Sequence, residues 1–140
     1  EIPSAFGRYP VVGINNDAFY YCGSIVGIEI PECITSIGNR AFCGTGLRSV
    51  VIPGSVRTMG EHVFGWTPIT SAVIEEGVPE IGAFAFRGCS ALATIKIPSS
   101  VLNIGQYAFA SCPKLGSGVV IVFGLNYKIF QILLIILDNT

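Results

Sequence analysis

The 140-residue chain has little charge: 12% of its residues are charged, and the formal net charge is −1. A globular domain usually has about twice that share, and nothing here forms the basic stripe that nucleic-acid binding needs. There is one histidine and no Cys-x-x-Cys pair, which argues against a zinc site. No phosphate loop, nucleophile elbow or dinucleotide fingerprint occurs. We therefore expect no catalytic residue, metal, cofactor or nucleic-acid partner.

What the chain does have is an internal repeat. A phrase of the type Ile-Gly-x-x-Ala-Phe recurs five times at steps of 22 or 23 residues. We number the copies 1 to 5 by their anchor phenylalanines, which are Phe19, Phe42, Phe64, Phe86 and Phe109. Glycine stands four residues before the phenylalanine in every copy but the first, which has Asn15. A sustained period of this length indicates a stacked repeat architecture.

A second phrase, apolar-x-x-apolar-x-apolar, shares the period and begins five or six residues after each anchor phenylalanine. Its alternation predicts a short strand with one face inward. Proline, which cannot donate a ladder hydrogen bond, ends the strand in three copies. The apolar positions are Ile25, Ile28 and Ile30; Leu47, Val50 and Ile52; Ile69, Ala72 and Ile74; and Leu92, Ile95 and Ile97.

These phrases predict an α/β repeat solenoid. A single repeat cannot bury enough apolar surface to fold alone, whereas stacked repeats cover one another's edges. We expect a parallel β-sheet on the concave face and short turns or helical turns on the convex side, where Ala and Phe pack inward. Four to five repeats occupy residues 14–117. Residues 1–13 are interpreted as a degenerate or truncated repeat, and residues 118–140 as a hydrophobic tail.

The repeat resembles the BspA-like class of leucine-rich repeats over residues 14–115, most closely in the stretch from Cys89 to Val101. The resemblance implies a cell-surface or secreted protein that adheres to a host protein or another cell-surface macromolecule. Copies 2 and 3 depart from the pattern. Gly44 and Trp66 stand three residues before the strand, where the pattern has cysteine.

Strand alternation also predicts the surface that faces outward. The candidate partner-binding residues are Gly27, Glu29, Ser49, Val51, Ser71, Val73, Thr94 and Lys96. A small, hydroxyl-rich and β-branched surface suits an extended protein partner better than a small molecule, although its lack of aromatic side chains argues against a strong hot spot. Trp66 and His62, on a neighbouring turn, are alternative anchors. The alternative function is a passive spacer within a larger protein.

The five cysteines fall into two groups. Cys22, Cys89 and Cys112 each follow an anchor phenylalanine by three residues, and we expect them to be small buried groups. Neighbouring copies stack at roughly 4.8 Å, so a disulfide between Cys89 and Cys112 is geometrically allowed. Cys33 and Cys43 are out of register, and we assign them no role.

The remaining titratable residues have simple interpretations. His62 occupies a variable position of its repeat, so we expect it to be exposed, and it lacks a partner for base catalysis. Glu75 and Glu76 are adjacent and Glu80 follows, but acid–base catalysis needs carboxylates that converge across a cleft. We interpret them as a solvated turn, and the sequence predicts no enzyme.

The tail has three interpretations. Residues 119–137 are largely apolar and approach the roughly 20 residues that span a bilayer, but the central Lys128 opposes insertion. The segment is therefore a cap on the solenoid, a membrane anchor, or the product of a lost reading frame. Because the chain starts with Glu1 rather than methionine, we expect it to be part of a longer or processed protein, and the missing signal peptide indicates no location.

Overall fold

The computed structural model describes residues 1–117 and 119–121, which form a β-solenoid of about four turns. Its regular elements are short strands and one 3-10 helix, Leu115–Ser117. The strands are β1 (Ala5–Phe6), β2 (Tyr9–Pro10), β3 (Gly13–Ile14), β4 (Ser36–Ile37), β5 (Ser49–Ile52), β6 (Thr58–Met59), β7 (Ser71–Ile74), β8 (Glu80–Ile81), β9 (Thr94–Ile97), β10 (Asn103–Ile104) and β11 (Val119–Ile121).

The main sheet is parallel and has the strand order β11-β9-β7-β5. Burial alternates strictly along β5 and β9, with outward residues exposed and inward residues buried. The prediction of a strand with one face inward is thus confirmed for copies 2, 3 and 4. Each strand is short because proline or an equivalent turn follows it. Strand β7 pairs with β5 of the copy before and with β9 of the copy after, whereas β5 lies at the edge of the sheet.

The prediction of a strand in copy 1 is wrong. Residues 25–30 have no strand structure, and the amide of Arg48 donates to the carbonyl oxygen of Val26 at a long 3.2 Å. Gly27 weakens a strand at this point because it brings no side chain to pack. Ile30 is still buried, and Ile28 packs against the core from a half-buried position, so copy 1 contributes to the core without completing the sheet.

A second side of each turn forms parallel pairs that the sequence did not predict. Strands β3, β4 and β6 form one sheet, and β8 pairs with β10. Each of these strands has only two residues, the second of which is the Ile or Met that precedes the repeated glycine, or Asn15 in copy 1. Two residues are too few to show an alternation of apolar and polar residues. The only feature of these strands that recurs in the sequence is the apolar residue.

The turns that carry the anchor phenylalanines are not helical, so the α/β description and its helical turns are wrong. The described residues contain no α-helix. Within a copy the amide of Arg87 donates to the carbonyl oxygen of Phe84 at 3.0 Å, but the amide of Phe86 donates to Ala108 of the next copy at 2.8 Å. The positive φ of Phe84 breaks the helical path and turns every second amide towards the neighbouring copy.

The anchor phenylalanines form a continuous column inside the solenoid. Phe42, Phe64, Phe86 and Phe109 are fully buried. Successive ring centroids lie 5.2 to 5.6 Å apart from Phe19 to Phe109, with nearly parallel planes. Stacked rings fill the space between copies, which explains why the period is anchored on this residue.

The repeated glycine is required by close approach rather than by an unusual backbone angle. A Cβ added to Gly82 would overlap the carbonyl oxygen of Gly60 in the preceding copy. Gly38, Gly60 and Gly105 are equally crowded by the backbone of their neighbours. The glycine therefore sets how tightly two turns can stack.

Both ends of the chain differ from the regular copies. Strands β1 and β2 form an exposed antiparallel hairpin, while Ile2 reaches the core. Strand β11 pairs with β9 and continues the main sheet. Residues 118 and 122–140 lie outside the described residues, and with them most of the segment on which the cap, anchor and reading-frame interpretations depend. No helix within the described part is long and apolar enough to cross a membrane.

Candidate protein-binding surface

The outward side of the main sheet carries two straight rows of side chains. Strand register aligns Ser49 with Ser71 and Thr94, and aligns Val51 with Val73 and Lys96. Successive strands lie roughly 4.8 Å apart, so each row extends about 10 Å over three strands. The structure therefore brings six of the eight predicted residues onto one face.

The hydroxyl row has free hydrogen-bonding capacity. The side chains of Ser49, Ser71 and Thr94 make no hydrogen bond to any described residue. Ser71 is half-buried and the other two are exposed. A hydroxyl can both donate and accept, so this row can meet either the N–H or the C=O groups of an extended backbone.

The other two predicted residues, Gly27 and Glu29, are exposed but do not lie on a strand. Glu29 instead lines a cavity of about 350 Å³ together with Val51, Pro53 and Glu75. The cavity lies between copy 1 and strand β5, where the strand predicted for copy 1 is missing. Glu29 thus borders the face rather than continuing its rows.

The cysteine positions of the repeat form a buried polar column. Cys89 and Cys112 direct their thiols at the carbonyl oxygens of Phe64 and Phe86, at 3.1 Å in both cases. In copies 2 and 3 the hydroxyls of Thr45 and Thr67 donate to their own anchor phenylalanines at 2.8 Å. Threonine therefore replaces cysteine there. The position three residues after the anchor phenylalanine identifies these threonines. The position three residues before the strand identified Gly44 and Trp66 instead.

All five cysteines are free thiols, including Cys89 and Cys112, for which a disulfide was geometrically allowed. Burial raises the pKa of Cys89 and raises that of Cys112 to about 12. Cys43, which we assigned no role, is also buried, and burial raises its pKa. The expectation that Cys22 is buried is wrong, because it is exposed in copy 1.

Thiol labelling should separate these cysteines. Only the thiolate reacts with iodoacetamide, so we expect Cys112 to be modified about 1000-fold more slowly than an ordinary thiol at pH 8. Exposed Cys22 should be modified first. Peptide mass spectrometry after timed labelling measures both rates, and labelling in denaturant is the control. Equal rates in the native chain would show that the column is not buried.

The expectation that His62 is exposed is wrong. It is half-buried, and its Nδ1 has no hydrogen-bond partner in the described part of the chain. Its ring is stacked on Trp66 at 5.3 Å and on Phe84 at 4.6 Å between centroids. Burial lowers the pKa of His62, and the positive charge of Arg87 acts in the same direction. The imidazole is therefore neutral at neutral pH and packs as an aromatic ring.

The three glutamates that follow strand β7 lie in different environments. Glu75 is half-buried and accepts a hydrogen bond from the amide of Gly54 at 3.3 Å, whereas Glu76 is exposed and accepts one from Ser99 at 3.0 Å. Glu80 is half-buried on strand β8. Within residues 1–117 and 119–121, no group of three or more His, Cys, Asp or Glu is placed to hold a metal ion.

Short parallel strands, a buried phenylalanine column and crowded glycines together define a leucine-rich repeat solenoid, which is a scaffold type of fold. The sequence profile of the BspA type leucine-rich repeat region matches six copies within residues 12–131. The chain belongs to this family. The matched range continues beyond residue 117 and into the tail.

Solved structures of bacterial leucine-rich repeat proteins are similar to this chain. A leucine-rich repeat protein from Eubacterium ventriosum is 26% identical, with a TM-score of 0.73 over 81% of this chain. The leucine-rich repeat protein TpLRR of T. pallidum is 29% identical, with a TM-score of 0.60 over 89% of this chain and 68% of its own. This chain spans only 30% of the E. ventriosum protein. No curated protein matches it.

Proposed function

We propose that the chain is a protein-binding module of a cell-surface or secreted leucine-rich repeat protein, and that it catalyses no reaction. The main supporting observation is the outward side of the main sheet. Its hydroxyl row and its row of Val51, Val73 and Lys96 lie in strict register and make no side-chain hydrogen bond to the described residues. The membership in the BspA type family supports the surface or secreted location.

The shape of this face favours an extended protein segment. Flat rows at strand spacing offer many weak contacts and no enclosed pocket, whereas small-molecule sites are concave and mostly enclosed. Lys96 is the charged member of its row, and no carboxylate of the described residues lies within 4.0 Å of it. Its ammonium is therefore available to an acidic group on the partner, and it sets the orientation in which a partner can lie.

Reversing the charge of Lys96 should weaken partner binding. In a binding screen of the full chain against purified extracellular proteins, we expect Lys96→Glu to raise the Kd of a true partner about 10-fold, which is about 1.4 kcal/mol. Lys114→Glu is the matched control, because Lys114 is also exposed but lies outside the main sheet.

The two variants separate the possible outcomes of this screen. An equal loss in both would mean that net charge rather than this face governs binding. Unchanged binding in Lys96→Glu would also reject this face. If no extracellular protein binds the wild-type chain, the passive spacer becomes the better description.

A further inference from the structure

A second surface lies on the turns that carry the anchor phenylalanines. Two columns of residues with left-handed backbone conformation run along it. The residues two before and two after each anchor phenylalanine have positive φ, between 53° and 74°. The first column is Asp17, Arg40, His62, Phe84 and Tyr107, and the second is Tyr21, Gly44, Trp66, Gly88 and Ser111. Left-handed backbone favours glycine, and a bulky residue there is a true outlier.

The fold itself does not require aromatic side chains in these columns. Copies 2 and 4 have Gly44 and Gly88 in the second column, whereas copy 3 has Trp66, which is 50% exposed. The first column has Tyr107 in copy 5, where the ring is 46% exposed. Large rings on disfavoured backbone, partly exposed to solvent, indicate a role for the side chains beyond folding.

Four of these rings join into one surface across three copies. The centroid of Phe84 lies 4.6 Å from that of His62 and 5.6 Å from that of Tyr107, and Trp66 stacks beside His62. We call His62, Trp66, Phe84, Tyr107 and the neighbouring Arg87 the aromatic ridge. Aromatic residues and arginine are the types that dominate binding hot spots, and the main-sheet face has neither among its candidate residues.

Arg87 gives the aromatic ridge its charge. Its guanidinium lies 5.5 Å from the ring centroid of Phe84 and 5.6 Å from that of Trp66. Unlike Arg40, which pairs with Asp17 at 2.7 Å, Arg87 has no carboxylate within 4.0 Å and no side-chain hydrogen bond among the described residues. Two rings thus hold a planar fork whose five donors are free and match a carboxylate.

We propose that the aromatic ridge docks an acidic peptide segment of a partner protein. A carboxylate of the segment takes paired hydrogen bonds from Arg87, and an apolar side chain next to it packs on the exposed parts of Trp66 and Tyr107. The aromatic ridge lies on a different side of the solenoid from the main-sheet face. The proposal therefore stands or falls independently of the function proposed for that face.

The packing of the rings favours a peptide over an acidic glycan. Phe84 has His62 against one face and Tyr107 against the other. Trp66 is covered on the side of Gly88, where an added Cβ would come within 2.6 Å of the indole. Phe84 therefore exposes mainly its edge, and Trp66 has one face closed by the backbone of the next copy. Ring edges carry partial positive charge and attract carboxylates and other aromatic rings, whereas stacking on a sugar needs an open ring face.

The test uses the only tryptophan of the chain, Trp66, as a fluorescent reporter. We expect a glutamate–tyrosine copolymer to change Trp66 emission in the full chain with a saturable curve. Arg87→Gln should raise the midpoint about 10-fold, whereas Arg48→Gln should change it less than 2-fold. Arg48 is the matched control because it is exposed, has no ion pair among the described residues, and lies on the side of the main sheet.

Three results would overturn the proposal: equal weakening in both arginine variants, a serine–tyrosine copolymer that binds as tightly, or polyglucuronate that binds more tightly than the peptide. Tyr107→Ser supplies an independent variant, because the ring is 46% exposed and its replacement removes no fully buried side chain. Binding of the immobilised Tyr107→Ser chain should also weaken, and no change would count against the aromatic ridge. Lys96→Glu should leave every midpoint unchanged, which keeps this test separate from that of the main-sheet face.

Discussion

Replacing Phe86 with alanine is expected to lower the free energy of unfolding by about 3–5 kcal/mol. The ring is fully buried and stacks between Phe64 at 5.3 Å and Phe109 at 5.6 Å. Its removal opens a cavity inside the column that joins copies 3, 4 and 5. Because each copy is buried mainly by its neighbours, the loss should also reduce the cooperativity of unfolding. Urea titration followed by far-UV circular dichroism measures both effects.

Phe6→Ala is the control for this substitution. Phe6 is 82% exposed in the N-terminal hairpin, so the same change of side chain should alter stability by less than about 0.5 kcal/mol. A loss below about 1 kcal/mol for Phe86→Ala would contradict the continuous column. A comparable loss for Phe6→Ala would place the hairpin within the cooperative core.

Gly82→Ala is expected to have the second-largest effect, a loss of about 1–3 kcal/mol from overpacking. The added Cβ meets the carbonyl oxygen of Gly60, which is backbone and cannot rotate away as a side chain would. The two turns must then move apart, and the strain reaches the adjacent pair of strands β8 and β10. The shift in the urea midpoint, at constant slope, measures this loss.

The control for crowding is Gly116→Ala. No heavy atom of the described residues lies within 4 Å of a Cβ added at Gly116, so alanine should be neutral or slightly stabilising there. If Gly82→Ala were equally neutral, the repeated glycine would have to be explained by chain flexibility rather than by the close approach of stacked turns.

The regular part of the fold could be predicted because its signals recur. Alternation in copies 2 to 4 places Val50, Ala72 and Ile95 inward, and the structure agrees. The helical turns were wrong because the left-handed positions are occupied by unrelated residues, such as Asp17 and Phe84, and leave no common residue type. The pairs formed by β3, β4, β6, β8 and β10 were missed because a two-residue strand has no alternation to detect.

The candidate sites were predictable to different degrees. The alternation of side chains along a strand identifies the residues that face outward. The six outward residues of β5, β7 and β9 could therefore be predicted from the sequence. Of the aromatic ridge, the sequence identified only Trp66 and His62, as alternative anchors. A search for repeats selects residues that recur in every copy, and these build the core. Phe84, Arg87 and Tyr107 do not recur, and only the stacked structure brings them together.

The backbone bonds between copies also have a mechanical consequence. The bond from Phe64 to Ala85, like its equivalents in other copies, runs along the direction of stacking. Tension between the two ends of the stack therefore loads the interfaces in series, and the outermost copy can peel away while the others stay folded. Releasing 22 residues lengthens the chain by about 75 Å. Under load, we therefore expect the stack to lengthen in steps, one copy at a time, rather than to unfold all at once.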